Sequence, residues 1–273
     1  MSLGESPSPS AVRLRRFRDA TAVVGFIVWF LSLVPPLGVW ARRYEFVQAV
    51  QFCSFATLTP ALLVTGAPWR WLGLASLRPH RVGEDGPVTM LASGRMFDRL
   101  AITRQSQRGY QRGVTWAGAF IALVLVWRYA PVVDALVNHP WLTVLESLSF
   151  VGVGVPLWLE LVESPPLTPS TPRPVRIALA AVSMWTIWII AYLNGLLHSG
   201  WYDVFHHSAG HGVSLAADQQ LTSYVMWVLS AAPFIPIVFW NLIHWLQSEE
   251  DPDDEMHKLI RDEKIRGPFG INS

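Results

Sequence analysis

Residues 221–246 read LTSYVMWVLSAAPFIPIVFWNLIHWL, and this run holds no Asp, Glu, Lys or Arg. A helix rises about 1.5 Å per residue, so the run is long enough to cross the roughly 30 Å of hydrocarbon in a bilayer. Polar and apolar residues do not alternate along it, which argues against a barrel strand. A helix is the remaining way to satisfy every backbone N–H and C=O inside lipid.

Five further runs of the same kind lie upstream: Ala20 to Trp40, Phe46 to Thr65, Val114 to Val133, Trp141 to Val162, and Ile177 to Leu197. The composition agrees, at 51% hydrophobic and only 15% charged over 273 residues, more apolar than one soluble core of this size requires. Trp40, Trp141, Trp201, Trp240 and Trp245 stand near the proposed ends, where indole rings favour the headgroup region. The first run follows Arg13, Arg15, Arg16 and Arg18 but is too long for a secretory signal. It reads as an uncleaved anchor that kinks near Pro35-Pro36.

Charge placement sets an orientation. Eighteen of the 21 Lys and Arg residues fall in the amino-terminal tail, the 66–113 segment, the 163–176 linker and the carboxy-terminal tail. Arg42, Arg43 and Arg128 are the exceptions. Because basic flanks stay cytoplasmic, the expectation is an all-α, polytopic bundle of about six transmembrane helices with both termini inside, in the plasma membrane.

The expected organisation is a basic tail over 1–19, a helical membrane domain over 20–246, and a charged tail over 247–273. Within the domain, 66–113 is a cytoplasmic stretch lying along the headgroups and 198–220 an extracytoplasmic loop. The segment from Ser164 to Pro174 is too rich in proline for helix and reads as an extended connector.

With Cys53 as the single cysteine, CxxC redox and copper-thiolate motifs are excluded, so a metal would need His, Met or carboxylate ligands. Five of eight histidines fall on the outer side of this topology: His139, His198, His206, His207 and His211. Imidazole suits copper or zinc, although this spacing matches no fixed pattern. Ordinary exposed histidines are the competing reading. A second set is polar and sits near the outer ends of the spans: Gln48, Arg128, Glu146, and, at the start of the sixth, Asp218, Gln219 and Gln220, with Trp227 beyond. Such groups face partner helices and pair, and an Arg128 cluster with Glu146 or Asp134 is expected. Neither a nucleophile with a paired base nor a glycine-rich phosphate cradle is present, which argues against an enzyme.

Several elements together resemble a known family. They are Gln48-Ala-Val-Gln-Phe52, the Thr59-Pro60-Ala-Leu-Leu-Val-Thr-Gly66-Ala-Pro68 stretch, Trp127 with Pro131, His139-Pro140, Glu146 with Phe150, and Asp218-Gln219-Gln220 with Met226-Trp227. From about Phe46 to Leu246 the chain resembles the CtaG-like cytochrome c oxidase assembly factors associated with caa-type oxidases. The resemblance implies a role in assembling a terminal oxidase, through copper delivery on the outer face. It also implies oxidase subunits or a copper carrier as partners, beside the lipid bilayer and not nucleic acid.

The resemblance further implies imidazoles where this chain has Gln48, Phe52, Arg128 and Ser147, and it retains one at His139. Either copper handling is altered in this chain or ligation has moved to the loop with His206, His207 and His211. A small-molecule transporter or channel, with Arg128, Glu146 and Asp218 lining a polar path, is the alternative from another class, and a metal-free scaffold is a third.

Overall fold

The computed structural model describes residues 9–72, 109–165, 167, 169, 171–196, 202–206 and 212–247. Within them the fold is helical: α1 Pro9–Leu33, α2 Leu37–Trp40, α3 Glu45–Gly66, a 3-10 turn Pro68–Leu72, α4 Gly109–Trp127, α5 Ala130–Asn138, α6 Trp141–Leu161, α7 Arg173–Leu196, α8 Asp203–His206 and α9 Leu215–Leu246. Most of the 66–113 segment, His198, Trp201, His207, His211 and the charged tail lie outside the described residues.

Helix α3 runs through the centre. Its most apolar stretch is 83% buried, against 33%, 39% and 22% for α6, α7 and α9, and it packs against α1, α6 and α9. Close approach is possible because small residues sit at the contacts. A Cβ on Gly66 would lie 2.4 Å from the backbone nitrogen of Ala22 in α1, and one on Gly154 of α6 would lie 2.7 Å from Pro60. Pro60 lacks an N–H and would clash with the carbonyl one turn back. The helix answers with a π turn at Ser54–Leu58 just before it, which opens the ladder and keeps the axis running. The helix then ends at Ala67, whose left-handed backbone (φ 52°) lets its N–H return to the Leu63 carbonyl at 2.9 Å.

Aromatic side chains fill the space around α3. Phe52 meets Phe150 edge-on at 5.3 Å, Phe120 meets Phe150 at 6.1 Å, and Trp158 stacks on Phe234 at 5.0 Å. The exterior is apolar as well: Leu125, Val126, Val144, Leu148, Ile189, Val228 and Phe239 are all exposed. That surface suits lipid and would be a liability in water.

Four helices, α3, α6, α7 and α9, are long and apolar enough to cross a membrane. A fifth span follows if Gln111–Trp127 and Ala130–Asn138 count as one. Two of the six expected runs differ from a long, straight apolar helix. The first run is not one of the four. Its charge-free part is only Ala20 to Leu33 before the chain breaks at Pro35-Pro36 and resumes as α2, and its start is tied down by Asp19, which pairs with Arg70 at 3.0 Å. The third run is not straight either, because α4 and α5 meet at 68° around Arg128 and Tyr129. Pro131 in the first turn of α5 explains why a new helix starts there. The last two spans begin earlier than the apolar runs suggest, at Arg173 and Leu215, so Asp218 to Gln220 lie within α9 and not ahead of it.

The proline-rich connector is tied to the bundle in its first part. Ser164 donates through its hydroxyl to the Val64 carbonyl, and the Trp69 indole donates to the Pro165 carbonyl at 3.1 Å.

Candidate functional site

The α3 amino terminus places Glu45, Gln48 and Phe52 within two turns, and all three are buried. Elsewhere in lipid such polar groups would be expensive. Here they face other helices because α3 is enclosed. The first α3 amides lack carbonyl partners of their own, and Asp218 of α9 supplies them: its Oδ2 accepts from the Glu45 N–H and its Oδ1 from the Phe46 N–H, both at 2.9 Å. Ser214 caps α9 itself, accepting from Ala217 N–H at 3.2 Å.

Next to this cap, the Asn194 side-chain amide donates to Glu45 Oε1 at 2.7 Å, and the Gln219 side-chain amide donates to the Asn194 carbonyl at 2.6 Å. The second bond satisfies a carbonyl in the last turn of α7. Asp218, Gln219, Asn194 and Glu45 thus lock one end of α3, α7 and α9 together.

Arg128 enters from the α4–α5 corner and is 3% exposed. Its Nη1 donates to Gln48 Oε1, and the guanidinium carbon lies 5.2 Å from the Phe52 ring centre and 5.0 Å from that of Tyr202. The Tyr202 hydroxyl donates to the Arg128 carbonyl at 3.4 Å, and burial pushes this phenol up to about 12. Tyr202 and Phe205 pack with Val133, so the segment that carries α8 covers the cation.

Glu146 of α6 is fully buried in the electrostatic field of Arg128, and neither of its carboxylate oxygens has a hydrogen-bond partner. The expected contact is therefore corrected: no ion pair within 4.0 Å joins Arg128 to Glu146 or to Asp134. Gln48 takes the guanidinium bond, and Asp134 turns the other way to accept from the Val204 N–H at 3.2 Å. Beside Glu146, the Ser147 hydroxyl accepts from the Trp29 indole, while Ser149 accepts from the Trp127 indole at 2.9 Å.

Of the residues singled out by sequence, Gln48, Arg128, Glu146, Asp218 and Gln219 come together. Gln220 is exposed, and Trp227 sits on the outer surface of the bundle, stacked on Trp188 at 5.0 Å. Asn194, Phe52 and Tyr202 complete the cluster. Asn194 had a legible signal, a lone amide in an apolar run, whereas nothing in the sequence marks Tyr202. His139 caps the end of α5 and His206 ends α8, both exposed, and His198, His207 and His211 lie outside the described residues. Among the described residues no three His, Cys, Asp or Glu side chains converge as a metal site would need.

The donor set around Arg128 does not suit copper. It offers carboxylate and amide oxygens and the single thiol of buried Cys53 beside a guanidinium that cannot ligate. What the arrangement does is hold four helix ends in register by buried polar contacts.

No curated protein and no solved structure matches the chain. One family model, that of the cytochrome c oxidase caa3 assembly factor, matches residues 9–248, nearly the whole of the described bundle and its loops. On that span the chain belongs to the caa3 cytochrome c oxidase assembly factor (CtaG) family.

Proposed function

We propose that this protein assists assembly of a respiratory cytochrome c oxidase from within the plasma membrane, crossing it six times with both termini in the cytoplasm. It acts by binding an oxidase subunit or a copper carrier at its outer face, and not by catalytic turnover. Family membership over residues 9–248 carries the reading. The apolar exterior and the retention of eighteen of 21 basic residues on one side support the membrane disposition. In this reading copper is cargo met at the surface, by the exposed imidazoles of His139 and His206 and by His198, His207 and His211 of the outer loop.

Deletion of the gene tests the role. Loss of the oxidase haem and copper absorption from isolated membranes, restored by the wild-type chain, is the expected result, and membranes with normal oxidase spectra would overturn it. Reporters fused after Ser273 and inserted beside His207 test the disposition, and they are expected to read cytoplasm and exterior respectively.

A further inference from the structure

We infer that Arg128 is the resident cation of the buried cluster, so that the core of this chain is closed to copper and any copper it meets stays on the outer surface. The positions at which the family resemblance implies imidazole do come together in the fold. Gln48 accepts from the Arg128 guanidinium, Phe52 lies 5.2 Å from it, and Ser147 adjoins the buried Glu146. Two of those positions, Gln48 and Phe52, contact the guanidinium at the third, Arg128, while Ser147 engages Trp29 of α1. The guanidinium supplies no lone pair and lies close to two aromatic rings, those of Phe52 and Tyr202.

A second positive ion brought to Glu146 would have to be desolvated and held against that fixed charge. The buried Cys53 thiol, in the field of Arg128 and Glu146, is a lone soft donor, and the other groups nearby are poor replacements for imidazole. Gln48 offers an amide, Ser147 a hydroxyl already engaged by Trp29, and the ring of Phe150, edge-on to Phe52 at 5.3 Å, fills the neighbouring volume. His139, where the resemblance retains an imidazole, is exposed.

The inference does not depend on the assembly role, and its test uses the purified full-length chain in mild detergent. Copper(I) per chain is counted by competition with a chromogenic chelator for the wild type, Glu146→Gln and Cys53→Ala. The expected count is the same for all three, whether it is zero or set by surface histidines. Loss of one copper per chain in either variant, with unchanged circular dichroism and elution volume, would overturn the inference. A thermal-melting cycle reads the resident charge directly. Arg128→Met and Glu146→Gln are each expected to lower the melting temperature, and the double variant is expected to regain part of the sum. Strict additivity would show that the two charges do not compensate one another.

Discussion

Replacing Asp218 by Ala removes both side-chain acceptors from the α3 amino terminus at once, leaving the Glu45 and Phe46 amides without those partners. Hydrogen bonds between helices in a bilayer average about 0.6 kcal/mol and reach about 1.7 kcal/mol, so two of them set a range of about 1–3 kcal/mol. Two features push the loss toward the top of that range: the acceptor is charged, and the orphaned amides sit at a buried helix terminus. A loss near 3 kcal/mol is about a hundredfold in the unfolding constant. Reversible unfolding in mixed micelles, followed by the far-ultraviolet helix signal, measures it. Gln220→Ala is the internal control, since Gln220 is two residues away in the same turn but exposed, and it should change stability by less than about 0.5 kcal/mol. If Asp218→Ala and Gln220→Ala unfold at the same denaturant fraction, the reasoning that α9 caps α3 is wrong.

The close contacts and the covered phenol make further predictions. Gly66→Ala should destabilise the bundle strongly, since the new Cβ would lie 2.4 Å from Ala22 backbone, while Gly152→Ala, with nothing within 4 Å, should be neutral; melting temperature in detergent separates them. Asn194→Leu should cost about 1–2 kcal/mol, because the Glu45 carboxylate loses its amide donor in a buried site, and unfolding in micelles will show it. Tyr202 keeps its proton more tightly folded than unfolded, rising from 10.0 to about 12. The unfolded chain therefore loses this proton first, and stability should fall as pH climbs from about 10 toward 12. Tyr202→Phe, which keeps the ring over Arg128, should remove that alkaline loss, as melting curves at pH 9 and above would register.

The spans at α3, α6, α7 and α9 were legible because an apolar run near twenty residues has few alternatives in lipid. Their bounds moved where charged or polar residues, such as Arg173 or Asp218, continue a helix past its apolar part. The bend at Arg128 was signalled by Pro131, but hydropathy averages across it, so one run was read where two helices meet. Polar residues inside spans pointed to Gln48, Arg128, Glu146 and Asp218, which the fold buries. Sequence could not assign their partners. Charge alone favours Arg128 with Glu146 or Asp134, whereas the fold gives the hydrogen bond to a neutral amide because α3 presents Gln48 at the corner where α4 ends. Tyr202 became part of the site only through packing of the α8 segment against α5, which carries no local pattern.

The bend and the cluster are two aspects of one arrangement. Arg128 follows the buried face of α4, four residues after Val124 and eight after Phe120, so its side chain leaves the helix toward the interior. Ending α4 at Trp127 places the cation at the negative end of that helix, which favours it, within reach of Gln48. The turn also brings α5 and α8 across the opening, so that Tyr202 and Phe205 bury the charge from outside. Asp218 applies the complementary rule on the other side of the cluster, an anion at the positive ends of both α3 and α9. Helix ends of both signs are therefore met by side chains of opposite charge within one layer of the bundle. An Arg128→Leu chain should consequently lose more than the Gln48 bond: with no cation to turn inward, the α4–α5 corner has no electrostatic reason to hold its 68° bend. Spin labels on the exposed Gly118 and Asn138 would report a longer and broader α4–α5 distance if that coupling holds, and an unchanged distance would mean Pro131 alone sets the corner.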